Sequence, residues 1–475
     1  MIPVRGFEGR TVAVFGAGRS GLSAAEALRA GGAAVIIWDD NGPGRERAAA
    51  EGFAVEDLSA RDWSDIAALM LSPGAPLTHP KPHWTVAKAR AADAEILGDI
   101  ELLHRTLEMI PAADRPKVVA ITGTNGKSTT TALIGWMLKH AGRAAQVGGN
   151  IGVGALALEP PQSAGTYVLE CSSYQLDLTH RFAPDVAVWM NISPDHLDRH
   201  GGMDGYVAAK RRIFANQGAG QTAVVGVDDA WGQATCTELM TRKAQRVVPI
   251  SATRVTPGGV YALDGVLYDA TNGATRKVAD LSQARSLPGR HNGQNAAAAY
   301  AAVRALGLSV DEAVEGLLTF PGLAHRMEEV GRLAKADGGM IRFINDSKAT
   351  NADAARQALS SYGRVWWIAG GRAKDGGIAD LADLFPRVAK AYLIGEAAED
   401  FARTIGHAAP WTVVREMVAA VAAAAKDAAA QPGEQVVLLS PACASFDQYP
   451  DFEARGEAFR AAVQALEPQA QVGAA

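Results

Sequence analysis

The sequence predicts an α/β protein with three domains in series. Apolar strand-like runs alternate with helical patterns along most of the chain, which is typical of parallel sheets built from β-α-β units. Two proline-containing breaks interrupt this alternation, at residues 111–116 and 320–322. With 475 residues the chain also exceeds the size of a single hydrophobic core. We therefore expect domains at residues 1–107, 108–322 and 323–475.

The composition excludes several classes of protein. Apolar residues make up 48% of the chain and charged residues 20%, as in a globular protein. The net charge of −5, with scattered basic residues, predicts no nucleic-acid surface. The N-terminal segment shows no apolar run of signal-peptide length, and no later apolar run reaches the length of a membrane span. The three cysteines have no metal-binding or pairing pattern. We expect a cytoplasmic protein that binds neither nucleic acid nor membranes.

A glycine-rich turn near the N-terminus follows the first predicted strand, Thr11–Phe15. The turn reads Gly16-Ala17-Gly18-Arg19-Ser20-Gly21, and a helical pattern follows over Leu22–Ala30. The next strand ends in Asp39, at the spacing of about 20 residues typical of a ribose-binding acid. The pattern predicts a Rossmann-like domain that binds a nucleotide. Glycines do not identify that nucleotide, so an NAD-dependent oxidoreductase is one interpretation of this segment.

A second glycine-containing turn follows the predicted strand Lys117–Thr122. It reads Gly123-Thr124-Asn125-Gly126-Lys127-Ser128-Thr129, before a helical pattern over Thr129–His140. In a phosphate loop, backbone N–H groups bind phosphate, a lysine neutralises the β/γ oxygens and a hydroxyl ligates Mg²⁺. Lys127 and Ser128 occupy those positions and predict ATP binding. Ile121 replaces the first glycine of the general pattern, and the alternative is an ordinary turn with a solvated lysine.

Two later segments support a nucleotide site. Glu170 ends the predicted strand Tyr167–Leu169, where a carboxylate is a suitable ligand for Mg²⁺. His196 lies in a polar loop after another predicted strand, and the alternative there is a capping loop with surface histidines. A dehydrogenase has no evident use for a second phosphate loop with an acid for Mg²⁺. The combination favours a ligase with a nucleotide-linked substrate over the oxidoreductase and over a non-enzymatic nucleotide switch.

Over essentially the whole chain these segments resemble the Mur ligases of bacterial cell-wall synthesis. Residues 123–129 are similar to the phosphate loop of that family, and this resemblance accounts for the isoleucine at position 121. The segments Asn345–Asn351 and Ser440–Asp447 are similar to signatures of its D-glutamate-adding branch, which argues against the L-alanine-adding and folate branches. The resemblance implies a monomeric enzyme of peptidoglycan synthesis. Such an enzyme uses ATP and two Mg²⁺ ions to join D-glutamate to UDP-N-acetylmuramoyl-L-alanine through an acyl phosphate.

The resemblance also implies roles for individual residues in three substrate sites. The first domain would bind the UDP substrate through Gly18, Arg19, Ser20, Gly21, Asp39 and Ser72, with Asn150 from the second. The ATP site would contain Gly123, Thr124, Asn125, Gly126, Lys127, Ser128, Thr129, Asn292, Asn295, Arg326 and Asp346. The third domain would bind D-glutamate through Lys348, Thr350, Lys374, Ser445 and Phe452. The segment Gly370–Lys374 departs from the usual Gly-Gly-Asp-x-Lys pattern of the family.

Lys210 has two interpretations. From its residue type alone it is a surface lysine on an amphipathic helix. The resemblance implies instead a lysine that reacts with CO₂ to form a carbamate, which would ligate a second Mg²⁺ beside His196. That reaction requires a neutral amine, so we expect the surroundings to lower the pKa of Lys210. Together with Ser128 and Glu170 as further metal ligands, the expected catalytic residues are Lys127, His196 and Lys210.

Overall fold

The computed structural model describes residues 1–284, 286–374 and 376–466. The chain divides into two compact units, one formed by Met1–Ala284 with Asn292–Phe320 and the other by Arg285–His291 with Pro321–Ala475. The first unit contains two sheets and the second unit one. The three-sheet α/β architecture agrees with the predicted fold class, whereas the predicted domain boundaries at 107/108 and 322/323 stay predictions.

The N-terminal sheet is parallel throughout. Its strands are β1 Thr11–Phe15, β2 Ala34–Trp38, β3 Ala54–Val55, β4 Ile66–Leu71 and β5 Glu95–Leu97. Its helices are α1 Arg19–Ala30, α2 Gly42–Ala50, α3 Trp84–Ala91 and α4 Asp99–Glu108. The strand order β3-β2-β1-β4-β5 places β1 between β2 and β4. The glycine-rich turn therefore lies between the ends of two neighbouring strands, at the edge where parallel sheets bind ligands.

The central sheet has nine strands. They are β6 Lys117–Thr122, β7 Ala145–Gly149, β8 Thr166–Glu170, β9 Val186–Trp189, β10 Thr222–Gly226, β11 Arg246–Ser251, β12 Val260–Leu263, β13 Val266–Asp269 and β14 Arg276–Asp280. The helices are α5 Lys127–His140, α6 Ser173–Asp177, α7 Leu197–His200, α8 Met203–Arg211, α9 Ala230–Arg242, α10 Arg290–Ala305 and α11 Val310–Leu318. In the order β14-β13-β12-β11-β10-β9-β6-β8-β7, β6 lies between β8 and β9. The turn after β6 is therefore flanked by Glu170 and by the segment after β9.

A tyrosine-containing hairpin extends one edge of the central sheet. Strands β12 and β13 pair antiparallel around Asp264 and Gly265, and β14 adds to them. Because β12 pairs in parallel with β11, the hairpin continues the central sheet and does not form a separate accessory sheet.

The C-terminal sheet forms the second unit. Its strands are β15 Glu328–Ala334, β16 Met340–Asn345, β17 Val365–Gly370, β18 Val388–Ile394, β19 Trp411–Arg415 and β20 Gln435–Leu439. Its helices are α12 Ala352–Ser360, α13 Ala398–Ile405, α14 Met417–Ala429 and α15 Phe452–Gln464. The order is β15-β16-β20-β17-β18-β19, with β15 antiparallel and the other strands parallel. The ends of β16 and β20 therefore lie side by side.

The cores consist of strands covered on both faces by helices. Strand β17 is buried along its whole length, and β6 is buried except at Lys117. Burying one Val or Leu side chain contributes about 1.5–3 kcal/mol, so these apolar strands stabilise the sheets on which the loops are held. Helix α5 lies very close to β7, because a Cβ added at Gly135 would be 2.2 Å from Val147 Cγ2. Across the described part of the chain, no helix combines the length and apolarity needed to cross a bilayer.

Candidate functional site

The turn after β6 has the backbone of a phosphate loop. Gly123 has φ +151° and Gly126 has φ +82°, which are conformations that L side chains rarely adopt. A Cβ at Gly126 would also lie 2.3 Å from Asn295 Oδ1. Helix α5 begins at Lys127, two residues before the predicted start, because Gly126 already caps it. The N–H groups at a helix start are suited to bind an anion, and Ser128 and Thr129 are buried in this first turn.

Lys127 is folded onto the loop that precedes it. Its Nζ donates to the carbonyl oxygens of Gly123, at 3.0 Å, and Thr124, at 2.8 Å. The alternative interpretation, an ordinary turn with a solvated lysine, is therefore wrong.

Glu170 contributes a buried carboxylate beside the loop. Only 3% of the residue is exposed, and its Oε1 accepts a hydrogen bond of 2.8 Å from Asn150 Nδ2. Its Oε2 is also buried and has no hydrogen-bond partner among the residues described. An unpartnered buried carboxylate oxygen is costly, so a cation at this position fits the observed geometry. Asn150 thus binds the Glu170 carboxylate, and its predicted contact with the UDP substrate stays a prediction.

The described residues do not form a cluster of side-chain metal ligands. Within residues 1–284, 286–374 and 376–466, no three His, Cys, Asp or Glu side chains come together in a geometry that could hold a metal ion. Glu170 and the Ser128 hydroxyl offer hard oxygen atoms of the kind that Mg²⁺ prefers, and both residues are buried. Their predicted role as metal ligands, and that of His196, stay predictions.

Lys210, on α8, is buried and not on the surface. Only 2% of the residue is exposed. Its Nζ donates to Gly123 O at 2.8 Å and to Thr122 Oγ1 at 3.3 Å, and it lies 4.7 Å from the centroid of the Tyr206 ring. Gly123 O therefore accepts from both Lys210 and Lys127.

This environment favours the neutral amine. Burial lowers the pKa of Lys210 well below its ordinary value, and the charge of Lys127 lowers it further. Asp195 and Glu170 act in the opposite direction but do not offset these two effects. The expected lowering of the pKa is confirmed and the surface interpretation is wrong, whereas the carbamate stays a prediction.

The two histidines of the loop after β9 have different environments. His196 is exposed at the N-terminus of α7, with φ +54°, and its Nε2 lies 3.3 Å from Asp195 Oδ2. His200, which the sequence did not single out, is buried with its Nε2 3.0 Å from Ser173 Oγ. Burial is the main effect that lowers the pKa of His200 to about 4. No spacing or residue pattern distinguishes His200 from His196, since only burial separates them.

The glycine-rich turn after β1 brings together three of the predicted UDP contacts. Gly18 caps α1, which begins at Arg19. Asp39 Oδ2 accepts from the Ala17 N–H at 2.7 Å, and a Cβ at Gly16 would lie 2.6 Å from Ser72 Cβ. The carboxylate of Asp39 thus supports the turn itself. Its predicted contact with substrate stays a prediction.

Arg199 joins the loops of the two sheets in the first unit. Its Nη1 donates to Gly74 O at 2.9 Å, and its guanidinium lies 4.6 Å from the centroid of the Tyr174 ring. The segment after β4 is therefore held against the loop that carries His196. The sequence offered no signal for this residue, because it lies 125 positions from Gly74.

The predicted adenine-side asparagines are buried next to the phosphate loop. Asn295 Nδ2 donates to Asn292 Oδ1 at 2.8 Å, and Thr130 Oγ1 donates to Asn295 Oδ1 at 3.3 Å. Asn295 therefore supports Gly126 and the first turn of α5. Its contact with adenine stays a prediction.

In the second unit, Asp346 is buried where β16 and β20 end side by side. Its Oδ2 accepts from Ser440 Oγ at 2.9 Å and its Oδ1 accepts from the Met327 N–H at 3.2 Å. Burial raises the pKa of Asp346 to about 7, and the charge of Arg326 opposes this effect only in part.

This raised pKa predicts a pH-dependent stability. The folded chain keeps a proton on Asp346 that the unfolded chain releases above a pKa of 3.8, so stability is greatest at low pH for this group. Between pH 3.8 and about 7 the free energy of unfolding should fall by up to about 1.4 kcal/mol per pH unit. Asp346→Asn should remove this part of the pH dependence in chemical unfolding followed by tryptophan fluorescence. Asp337→Asn, at an exposed carboxylate whose pKa is lowered, should not remove it.

The predicted D-glutamate residues lie on the loops of the second unit. Lys348 Nζ lies 3.9 Å from the centroid of the Phe452 ring. Ser445 is buried and Thr350 is half-buried, whereas Lys374 is exposed on the loop after β17. The structure thus pairs Lys348 with Phe452, and the roles of these five residues in amino-acid binding stay predictions.

Comparison with known proteins places the chain among ligases. Residues 121–303 match the Mur ligase middle domain, and residues 325–443 match the glutamate ligase domain of Mur ligases. The UDP-N-acetylmuramoylalanine–D-glutamate ligase of Caulobacter vibrioides (strain NA1000 / CB15N) is 66% identical over 466 residues, which is 98% of each chain. The protein of the same name from Mesorhizobium japonicum is 51% identical over 476 residues, which is 100% of each chain.

Solved structures share the architecture at lower identity. UDP-N-acetylmuramate-alanine ligase from Thermotoga maritima aligns with a TM-score of 0.55 and 18% identity, covering 96% of this chain and 99% of its own. UDP-N-acetylmuramoylalanyl-D-glutamyl-2,6-diaminopimelate–D-alanyl-D-alanyl ligase from Acinetobacter baumannii aligns with a TM-score of 0.58 and 19% identity, covering 91% and 90%. At this identity the likeness shows the fold alone.

Proposed function

This chain belongs to the Mur ligase family, and from that premise we propose that it joins D-glutamate to UDP-N-acetylmuramoyl-L-alanine at the expense of ATP. The observation that carries this proposal is the phosphate loop with Glu170 and Lys210 beside it, in a chain 66% identical to a ligase of that name. The reaction belongs to the synthesis of peptidoglycan precursors. The cytoplasm and a monomeric state are part of the proposal.

The chemistry follows from the poor reactivity of a carboxylate. Its negative charge repels an amine, and oxide is not a feasible leaving group. Transfer of the γ-phosphoryl group of ATP to the alanyl carboxylate forms an acyl phosphate and releases ADP. The D-glutamate amine attacks the acyl carbon, and phosphate leaves as the amide forms and the amine gives up a proton. The chain therefore has to stabilise negative charge on the transferring and leaving oxygens.

The phosphate loop supplies the first part of that stabilisation. The N–H groups of residues 126–129 lie at the positive end of α5 and would bind the phosphates. Lys127 would move from the carbonyl oxygens of Gly123 and Thr124 to the β/γ oxygens, which are better partners because they carry full charge. The Thr124 and Asn125 side chains and the predicted adenine-side residues Asn292 and Asn295 complete the proposed ATP site.

Glu170 and Ser128 would hold Mg²⁺, with Glu170 Oε2 as the oxygen that fits a cation best. Mg²⁺ would offset charge on the phosphate oxygens. A carbamate on Lys210, with His196, would provide ligands for a second ion. The neutral Nζ would attack CO₂, an N–C bond would form and a proton would leave to solvent.

The remaining substrate contacts belong to the two other sheets. The turn after β1, with Gly18 to Gly21, Asp39 and Ser72, would bind the UDP part of the substrate. Arg326 and Asp346 would contact ATP, and Lys348, Thr350, Lys374, Ser445 and Phe452 would bind the D-glutamate carboxylates. We assign these roles to proposed domains at residues 1–107, 108–322 and 323–475.

The test is phosphate release from ATP in the presence of Mg²⁺ and UDP-N-acetylmuramoyl-L-alanine. Release should require D-glutamate and should stay at the background rate with L-glutamate, L-alanine or folate substrates. Release with a different amino acid and not with D-glutamate would contradict the proposed substrate. Turnover of NADH with no phosphate release would contradict the reaction class.

The turn after β1 leads to a separate binding prediction. Calorimetry should detect binding of UDP or the UDP-linked substrate and no binding of NAD. The reason is that the proposed ATP site is the loop after β6, whereas the turn after β1 is proposed to bind the UDP part of the substrate. Tight NAD binding without UDP binding would reverse the assignment of this turn. Gly16→Val, which would collide with Ser72, should weaken UDP binding at least about 10-fold without affecting ADP binding.

A further inference from the structure

The side-chain amide of Asn191 forms hydrogen bonds with the backbone of the phosphate loop. Asn191 follows β9, the strand next to β6. Its Oδ1 accepts from the Asn125 N–H at 2.9 Å, and its Nδ2 donates to Asn125 O at 3.2 Å. Its own carbonyl oxygen accepts from the Thr124 N–H at 2.8 Å. Residues 124 and 125 are thus paired with Asn191 much as one strand pairs with its neighbour.

The orientation of this amide is set by two further side chains. Asn191 Nδ2 also donates to Gln294 Oε1 at 2.8 Å, and Gln294 Nε2 donates to Asp228 Oδ2 at 2.9 Å. These hydrogen bonds form a relay from the Asn125 N–H through Asn191 and Gln294 to Asp228. The backbone N–H at one end only donates, and the carboxylate at the other end only accepts. Each amide therefore has a single orientation that satisfies its neighbours.

Further contacts hold the Gln294 and Asp228 end of the relay in place. Gln294 is buried in α10, and Asp228 Oδ1 accepts from the hydroxyls of Ser251 and Thr253 at the end of β11. A Cβ at Gly226 would lie 3.2 Å from Gln294 Nε2 and 1.8 Å from Met190 O. Because Gln294 is buried, breaking its hydrogen bond to Asn191 would leave a buried amide oxygen without that partner.

The pairing decides which N–H groups remain for phosphate. The Thr124 and Asn125 N–H groups both donate to Asn191, whereas the N–H groups of residues 126–129 begin α5. We propose that Asn191, oriented by Gln294 and Asp228, is a positioning residue that presents the start of α5 as the nucleotide-binding donors. This inference rests on ATP as the ligand of the proposed function. It assigns nucleotide affinity to side chains outside the phosphate loop.

The experiment compares Asn191→Ala and Gln294→Ala in the full chain. Both should raise the KM for ATP and the Kd for ADP with Mg²⁺, measured by calorimetry, at least about 10-fold for Asn191→Ala and about 3-fold for Gln294→Ala. The KM for D-glutamate and the Kd for UDP should not change. The double variant should be no weaker than Asn191→Ala alone, since both side chains act through one contact.

Gln217→Ala is the matched control. Gln217 is a buried amide of the same unit, and its Nε2 donates to the carbonyl oxygens of Pro184 and Thr222. This variant should lower the melting temperature without changing ADP binding. If Asn191→Ala and Gln294→Ala also lose only thermal stability and bind ADP normally, the inference is overturned. Should Asn191→Ala fail to fold, Gln294→Ala decides the question, because it leaves Asn191 in place.

The failure of this inference is distinguishable from failure of the proposed function. If the unsubstituted chain releases no phosphate, the proposed reaction is wrong, and ADP binding still tests the relay. If the unsubstituted chain is active and both variants bind ADP as it does, only the relay is wrong.

Discussion

Lys127→Ala is expected to reduce ligation at least about 1,000-fold, because it removes the cation that offsets charge on the transferring phosphoryl group. The loss should be in kcat for phosphate release and not in the KM for D-glutamate. Binding of the UDP-linked substrate should be nearly unchanged, since the turn after β1 is separate from the loop after β6.

Lys139→Ala is the control for this variant. Lys139 is exposed near the end of the same helix, α5, so its removal should leave the rate unchanged. Near-normal turnover by Lys127→Ala would rule out the phosphate-loop assignment. Loss of UDP binding together with activity would indicate a folding defect, which circular dichroism would detect.

Lys210→Ala is expected to lower kcat at least about 100-fold, since loss of the proposed metal ligand would remove several kcal/mol of charge stabilisation. If the side chain acts as a carbamate, acetate should restore part of the activity by placing a carboxylate in the vacated pocket. The activity of the unsubstituted chain should also fall in CO₂-depleted buffer and return when bicarbonate is added.

A second buried lysine provides the control for acetate rescue. The side chain of Lys335 is 3% exposed, and its Nζ donates to the carbonyl oxygens of Gln431 and Gly433. The Lys335→Ala variant should have a lower free energy of unfolding, and acetate should not raise it. Full activity of Lys210→Ala in CO₂-depleted buffer would eliminate the carbamate. Acetate rescue of both variants would show that the effect is non-specific.

The phosphate loop could be predicted from the sequence because its chemistry is local. The glycines, Lys127 and Ser128 lie within one turn, and a strand and helix on either side complete the pattern. Glu170 was also predictable, because it ends a strand and parallel strands end at one edge of the sheet. Among the described residues Glu170 Oε2 has no hydrogen-bond partner, and this could not be predicted, since it depends on what packs around the carboxylate.

Residues whose partners lie far along the chain gave weaker sequence signals than the phosphate loop did. The residue pattern around Lys210 indicated a surface position, and only the resemblance to Mur ligases pointed elsewhere. The sequence marked a polar loop after the strand before His196, which includes Asn191, Arg199 and His200, but singled out none of these three. It did not single out Gln294 either. Their roles depend on partners far along the chain, such as Gln294 for Asn191, 103 positions away.

The sequence by itself determined the α/β class, the three sheets in series, the phosphate loop and the family, because each depends on neighbouring residues in the chain. The tertiary structure alone decided which polar groups are buried together. Packing places Lys210 and Lys127 at one carbonyl oxygen, that of Gly123. Burial then disfavours the charged amine, and the adjacent ammonium group repels it. The low pKa of Lys210 is therefore a property of the fold, since the unfolded chain would leave both lysines in water.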